Sequence, residues 1–264
     1  MARLPADPSH GAAWVTGASS GIGRALVLEL VRHGWRVGAT ARRAEDLAML
    51  AAEAPGSIFA APADVSDEQQ MRDAAQEIET ALGPIGLVVA CAGVYLPISA
   101  ESPDIAAFKK TWDVNLTGAA HAWATVSPSM VARGRGHIHL VSSATGFGGM
   151  PTASAYGASK AALINMAECL RIELDRYGVG VSLSTPGFVD TPAQAETPFP
   201  KPFMVSPERA AHDIVRGMKS GRFETTFPRR FTWMLKLLYA LPKEVYMSLV
   251  RKQTGWDKRP QSPS

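Results

Sequence analysis

Thr16-Gly17-Ala18-Ser19-Ser20-Gly21-Ile22-Gly23 follows a short apolar run, Ala12-Ala13-Trp14-Val15, and opens an amphipathic stretch over 24–32. A strand that turns through glycines directly into a helix gathers backbone N–H groups and the positive end of the helix dipole at one point, which suits a pyrophosphate. Gly17 and Gly21 can take backbone conformations closed to residues with a Cβ, and Gly23 lets the helix approach the sheet. Taken alone, the turn could be a plain glycine-rich connection, so the rest of the chain decides.

Working outward, apolar strand-like runs at 12–15, 36–40, 57–61, 87–90, 137–141 and 180–184 alternate with helical patterns at 21–33, 44–53, 67–82, 108–133, 154–177 and 207–220. Such alternation predicts the α/β class: parallel strands joined by right-handed helical crossovers in a single doubly wound (Rossmann) sheet with helices on both faces. A further run at 224–227 would bring the sheet to about seven strands. Ligands of such sheets bind beyond the carboxyl ends of the strands, where Gly17, Cys91, Ser143 and Pro186 all fall.

The chain has 264 residues, 46% hydrophobic and 19% charged, enough for a substantial core and too apolar for disorder. No linker divides it, so one domain over 1–264 is expected, with a core over 10–220 and a C-terminal strand and helical extension over 221–264. The first ten residues contain no apolar stretch that could serve as a signal peptide, which with two scattered cysteines, Cys91 and Cys169, favours the cytoplasm. The six histidines show no ligand-like clustering, so no metal is expected; His137 and His139 alternate on a strand. Net charge is +3, but 229–259 holds eight basic residues against Glu244 and Asp257, a net +6, which leaves −3 elsewhere. That distribution gives no support to nucleic-acid binding and favours an anionic surface if the tail is exposed.

After the second strand, Val37-Gly38-Ala39-Thr40-Ala41-Arg42-Arg43 lacks the acidic residue that would hold the free ribose hydroxyls of NAD. Arg42 and Arg43 instead offer planar guanidinium groups suited to a phosphate, so NADP(H) is preferred over NAD(H). Asp64, before Val65, ends the third strand; its carboxylate could accept from an adenine amino group or cap the next helix.

Tyr156 lies four positions before Lys160, so the two share one helix face, and a cation beside a phenol should lower its pKa from about 10 toward neutrality. Ser143 lies 13 residues before Tyr156, just after the strand at 137–141, placed to hydrogen-bond a substrate oxygen. The order of glycine turn, then serine, then Tyr156-Gly157-Ala158-Ser159-Lys160 resembles the short-chain dehydrogenase/reductase family over about 12–220. The resemblance implies Tyr156 as proton donor or acceptor and Ser143 as the oxygen-positioning residue. It makes Lys160 a contact to the nicotinamide ribose and Asn115 the helix asparagine that holds a water in the proton relay. It also implies cofactor contacts from Gly17, Ser19, Ser20, Gly21, Ile22, Gly23, Asp64, Val65, Ala92 and Gly93. Pro186-Gly187-Phe188-Val189-Asp190-Thr191 would bring Pro186, Gly187, the Val189 backbone and the Thr191 side chain to the nicotinamide. One departure is Cys91-Ala92-Gly93, where the family has Asn-Ala-Gly; a thiol cannot replace the amide's hydrogen bonds, which should weaken local bracing of the sheet. The family often pairs the helices that here carry Asn115 and Tyr156, implying a homo-oligomer, dimer or tetramer.

Mostly apolar loops, Val94-Tyr95-Leu96-Pro97, Phe147-Gly148-Gly149-Met150-Pro151 and the stretch 188–204, are the expected substrate wall. They point to a hydrophobic, lipid-like or cyclic carbonyl or alcohol. Pro192, Pro198, Pro200 and Pro202 make the last stretch a covering flap rather than a helix. An apolar helix at 231–241 and a second at 244–252 follow; their basic residues suggest peripheral contact with the inner face of a membrane, the alternative being packing on the domain or a second subunit. The competing functional readings are a non-catalytic NADP(H)-sensing or membrane-associated scaffold, and a dehydratase or epimerase on the same scaffold.

Overall fold

The computed structural model describes residues 4–192 and 201–258. The strands are β1 (Ala12–Thr16), β2 (Val37–Thr40), β3 (Ile58–Ala60), β4 (Ile85–Ala90), β5 (Gly136–Val141), β6 (Val179–Pro186) and β7 (Glu224–Phe227). The helices are α1 (Gly21–Arg32), α2 (Ala44–Ala52), α3 (Glu68–Leu82), α4 (Ile105–Trp112), α5 (Gly118–Arg133), α6 (Ser154–Leu174), α7 (Pro207–Lys219), α8 (Arg229–Tyr239) and α9 (Lys243–Gln253). All seven strands pair in parallel, in the order β3-β2-β1-β4-β5-β6-β7. Val15 of β1 lies opposite Ala39 of β2 on one side and Val89 of β4 on the other, so the winding reverses between β1 and β4 and opens a crevice there.

Both faces of the sheet are covered, which is why β4 reads as one continuous apolar run and is buried along its whole length. Along β1 the side chains alternate: Ala13 and Val15 join Leu26, Leu30, Leu47 and Ile214 under α1, α2 and α7. Ala12 and Trp14 join Met71, Ile78, Met130 and Leu163 under α3, α5 and α6. Trp14 Nε1 donates to Thr40 Oγ1 at 2.9 Å, satisfying the one polar atom the ring buries.

The single helix expected over 108–133 is two helices. The first starts at Ile105, where Asp104 accepts from the Ala107 N–H at 2.9 Å, and the winding then widens into a π-helical turn over Asp113–Thr117. Gly118 marks the junction with α5 because a Cβ there would lie 2.7 Å from Val65 Cγ2. Side-chain periodicity is blind to one extra residue in a turn, and such turns gather at functional sites.

His137 and His139 link β5 to β6. His137 Nε2 and His139 Nδ1 each lie 2.7 Å from Ser182 Oγ, and His139 Nε2 lies 3.1 Å from Ser184 Oγ. Burial pushes His137 down to about 4 and His139 to about 3, so both are neutral and serve as hydrogen-bonding spacers.

Beyond β7, α8 and α9 lie on the domain through their inner faces. Phe231 is buried, with ring centroids 5.8 Å from Phe188 and 6.0 Å from Phe203. Tyr246 is buried and donates to Gly149 O at 2.9 Å. No helix among the described residues is long and apolar enough to cross a membrane.

Candidate active site

The carboxyl ends of the strands open onto a cleft of about 410 Å³ lined by all the residues singled out above for catalysis or cofactor contact except Asn115, which is fully buried behind it. Four segments distant in sequence thus meet as the sheet topology requires.

At the β1 end, Gly17 and Gly21 have φ of 70° and 51°, in the region that favours glycine. A Cβ on Gly23 would sit 2.2 Å from Gly17 O, and one on Gly17 would sit 2.7 Å from Ala92 Cα. The N-cap Ser20 makes no side-chain cap bond and the first turn of α1 carries no acidic residue, so this helix end can meet an anion. A cradle that only glycines leave open, under an acid-free helix end, fits a dinucleotide pyrophosphate.

The two arginines after β2 both line the cleft but have different neighbours. Arg43 donates to Ser19 Oγ of the glycine turn at 3.3 Å and is ion-paired with Asp46, while Arg42 acts on Asp64. Partial burial opposes the charge on Asp64, but hydrogen bonds from the Ser66 N–H and hydroxyl and the charge of Arg42 hold its carboxyl below the usual range. Asp64 does not cap α3; that position belongs to Asp67, whose carboxylate accepts from the Gln70 N–H at 3.0 Å.

The bracing expected to suffer from Cys91 comes from the neighbouring strand. Thr16 Oγ1 accepts from the N–H groups of Cys91 and Ala92 at 3.1 and 3.2 Å, tying the end of β4 to the end of β1 without an amide side chain. Burial pushes the Cys91 thiol up to about 12.

At the other end of the cleft, Ser143 caps a short 3-10 turn, Ala144–Gly146, where its Oγ accepts from the Thr145 N–H at 3.2 Å. Its hydroxyl also acts on the Tyr156 phenol, favouring the ionised form. Lys160 is buried and donates from Nζ to Val141 O at 2.9 Å, with Nζ 5.7 Å from the centre of the Tyr156 ring. The expected lowering of the phenol pKa is reversed: burial raises it and outweighs the lowering by Ser143. Lys160 feels the same burial, which brings it down to about 8.

Asn115 is committed through its side chain. Its Oδ1 accepts from Val94 N–H at 2.7 Å, and Nδ2 donates to Val94 O at 3.0 Å and Ser159 Oγ at 3.2 Å. Ser159 in turn donates to Tyr156 O at 2.8 Å, so the asparagine braces both the loop after β4 and the helix that carries Tyr156. Sequence reasoning missed Ser159, although it stands inside the quoted Tyr156 to Lys160 segment.

Tyr95 packs edge-on against Tyr156, ring centroids 5.2 Å apart at 76°, and its hydroxyl lies 2.9 Å from Thr152 Oγ1. Thr152 has φ of 58°, a strained conformation for a β-branched residue beside a site. The Phe147 loop, expected to form part of the substrate wall, is met from far along the chain. Lys236 Nζ lies 5.0 Å above the Phe147 ring and is ion-paired with Glu224. Val189 bridges Val205, and Asp190 N–H donates to Val205 O at 2.9 Å, fixing both ends of the expected flap. Its middle, with Pro198 and Pro200, lies outside the described residues.

A family profile described as short chain dehydrogenase matches residues 11–200. The chain is 36% identical over 250 residues to an "uncharacterized oxidoreductase" of Myxococcus xanthus (strain DK1622), covering 94% of this chain and 99% of that one. It is 31% identical to the 3-dehydrosphinganine reductase of Danio rerio, covering 81% of this chain and 70% of the relative. Among solved structures, a 3-ketoacyl-ACP reductase from Sinorhizobium meliloti 1021 superposes with a TM-score of 0.72 at 30% identity, covering 82% of this chain and 96% of that one.

Proposed function

The chain belongs to the short-chain dehydrogenase/reductase family, an oxidoreductase acting on CH–OH and C=O groups, and from that premise we propose that it is an NADP-dependent enzyme interconverting a ketone and a secondary alcohol on a hydrophobic substrate. The observation that carries the reading is the meeting of Ser143, Tyr156 and Lys160 in the same cleft as the glycine turn.

When bound, the nicotinamide supplies or takes up the hydride. The chain's own residues do the rest. The Ser143 hydroxyl orients the substrate oxygen, and Tyr156 Oη gives or takes the proton there. Lys160, still protonated at neutral pH with its value near 8, holds the nicotinamide ribose and the positive field beside the phenol. Asn115 keeps the helix of Tyr156 and the loop of Tyr95 in register through its three hydrogen bonds. Gly17, Ser19, Ser20, Gly21, Ile22 and Gly23 hold the pyrophosphate, Ala92 and Gly93 back the adenosine ribose, and Asp64 with Val65 face the adenine. Pro186, Gly187, Val189 and Thr191 take the carboxamide side.

NADP(H) preference is supported by Arg42 and Arg43 and by the lack of an acidic residue at the end of β2. Apolar substrate preference is supported by Val94, Tyr95, Leu96 and Pro192 around the cleft, and two relatives bear the names of ketone-reducing enzymes. The reading takes 1–264 as one cytoplasmic domain, acting as a homo-oligomer, with the C-terminal helices touching a membrane at its periphery.

The test is NADPH oxidation across long-chain ketones, cyclic ketones and sugars, with NADH as control and products identified. Faster turnover of sugars than of apolar ketones would sink the substrate class. Tyr156→Phe should lose about 10²–10⁴-fold in turnover while NADPH still binds; full activity in that variant would remove the mechanism, and an unchanged output without any turnover would favour the sensor reading.

A further inference from the structure

We propose that the outward face of α8 docks on an anionic lipid surface, so that the mouth of the cleft meets the bilayer from which an apolar substrate enters. The inference rests on the functional reading above, because the substrate's partitioning into lipid gives the docking its purpose.

The helix is apolar on two sides. Its inner side, Phe231, is spent on Phe188 and Phe203. Its outer side carries Trp233, Met234 and Leu237, which are 53, 52 and 69% exposed and share one face by their three- and four-residue spacing. A helix resting on a domain in water ordinarily turns a polar face outward.

The charges on the same face are placed against the helix's own interest. Arg229 and Arg230 are both exposed and occupy the first turn, at the positive end of the dipole, where acidic residues are favoured and none stands. In α8 and α9, among the described residues, only Lys236 and Arg251 are ion-paired within the chain. An apolar row headed by unneutralised arginines complements a lipid layer: the row enters the acyl boundary while the guanidinium groups meet anionic headgroups. A second copy of the chain is the poorer occupant, since a two-fold contact through this face would set Arg229 and Arg230 against their own copies. At 11 residues α8 lies on a bilayer and cannot cross it.

The face is also in the right place. Beside that row Lys236 lies over both Phe147 and Trp233, and Tyr246 of α9 donates to Gly149 O, so the two helices touch the loop expected to form the substrate wall.

The test is co-sedimentation of the full chain with vesicles of phosphatidylcholine alone or of equal parts phosphatidylcholine and phosphatidylglycerol. The mixed vesicles should bind at least about tenfold better at low salt and release the protein at high salt. Leu237→Glu, and separately Arg229→Glu with Arg230→Glu, should each lower that binding by about tenfold or more while turnover of a water-soluble cyclic ketone stays unchanged. Equal or absent binding to both vesicle types overturns the proposal. So does Leu237→Glu converting a dimer to a monomer in light scattering without changing vesicle binding, which would make the face a subunit contact. Binding is measured without turnover, so a chain that docks but reduces no ketone loses the functional reading alone. One that reduces ketones and ignores both vesicles loses the docking face alone.

Discussion

At the cofactor end of the cleft a methyl group added to Gly23 or Gly17 would strike backbone, Gly17 O at 2.2 Å or Ala92 Cα at 2.7 Å, whereas at the substrate end one added to Gly148 would strike side chains, Tyr246 Oη at 2.5 Å and Tyr239 Cδ2 at 2.6 Å. Backbone cannot be exchanged for something smaller, so crowding there is relieved only by glycine, and the requirement is written at the crowded position itself. Side chains can be exchanged in pairs. The partners of Gly148 and Gly149 stand roughly ninety residues away in α8 and α9, and many combinations would close the same wall. One end of the site is therefore specified by backbone crowding that only glycine relieves and the other by agreement between side chains of distant segments.

The largest effect that would break this contrast belongs to the backbone end. Gly23→Ala should weaken NADPH binding by about a hundredfold, because the turn must shift by about 1 Å to admit the methyl. Isothermal titration measures it, and near-normal affinity would mean the turn is as forgiving as the far wall. A smaller effect concerns cofactor choice, which side chains carry even at this end. Replacing Arg42 and Arg43 together by Ala should lower the preference for NADPH over NADH by about tenfold or more, as expected for charge-assisted bonds to a phosphate. Ratios of kcat/KM report it; an unchanged ratio would assign the choice to the backbone. The smallest effect is at the substrate wall. Tyr246→Phe removes one hydrogen bond, to Gly149 O, worth about 1 kcal/mol, so KM for an apolar ketone should rise about fivefold while NADPH affinity holds. A matching loss in cofactor affinity would show that the two ends are not separable.

The same contrast explains what the sequence made legible. Alternating apolar runs and helical patterns sufficed for the parallel sheet, and the glycine turn with Ser143, Tyr156 and Lys160 sufficed to bring the cleft residues together. The π turn at Asp113–Thr117 left no trace in the spacing of apolar residues, because it adds a residue without changing which face is buried. The direction of the Tyr156 shift was also out of reach. A lysine four residues on argues for a lowered phenol, but the sequence does not state that both groups are buried and that Lys160 Nζ is turned to Val141 O. The role of Thr16 in bracing Cys91 needed the register of β1 against β4, which puts two strand ends 75 residues apart within one hydrogen bond.

Cys91, the departure from the family's amide, leaves a sulfur on the wall of a cleft built for redox chemistry. With its thiol held near 12, only about one molecule in 10⁵ carries a thiolate at neutral pH, and the thiolate is the form that peroxides and alkylating reagents attack. Oxidative stress would thus reach the exposed Cys169 first, and a maleimide label would mark the surface of α6 while sparing the cleft.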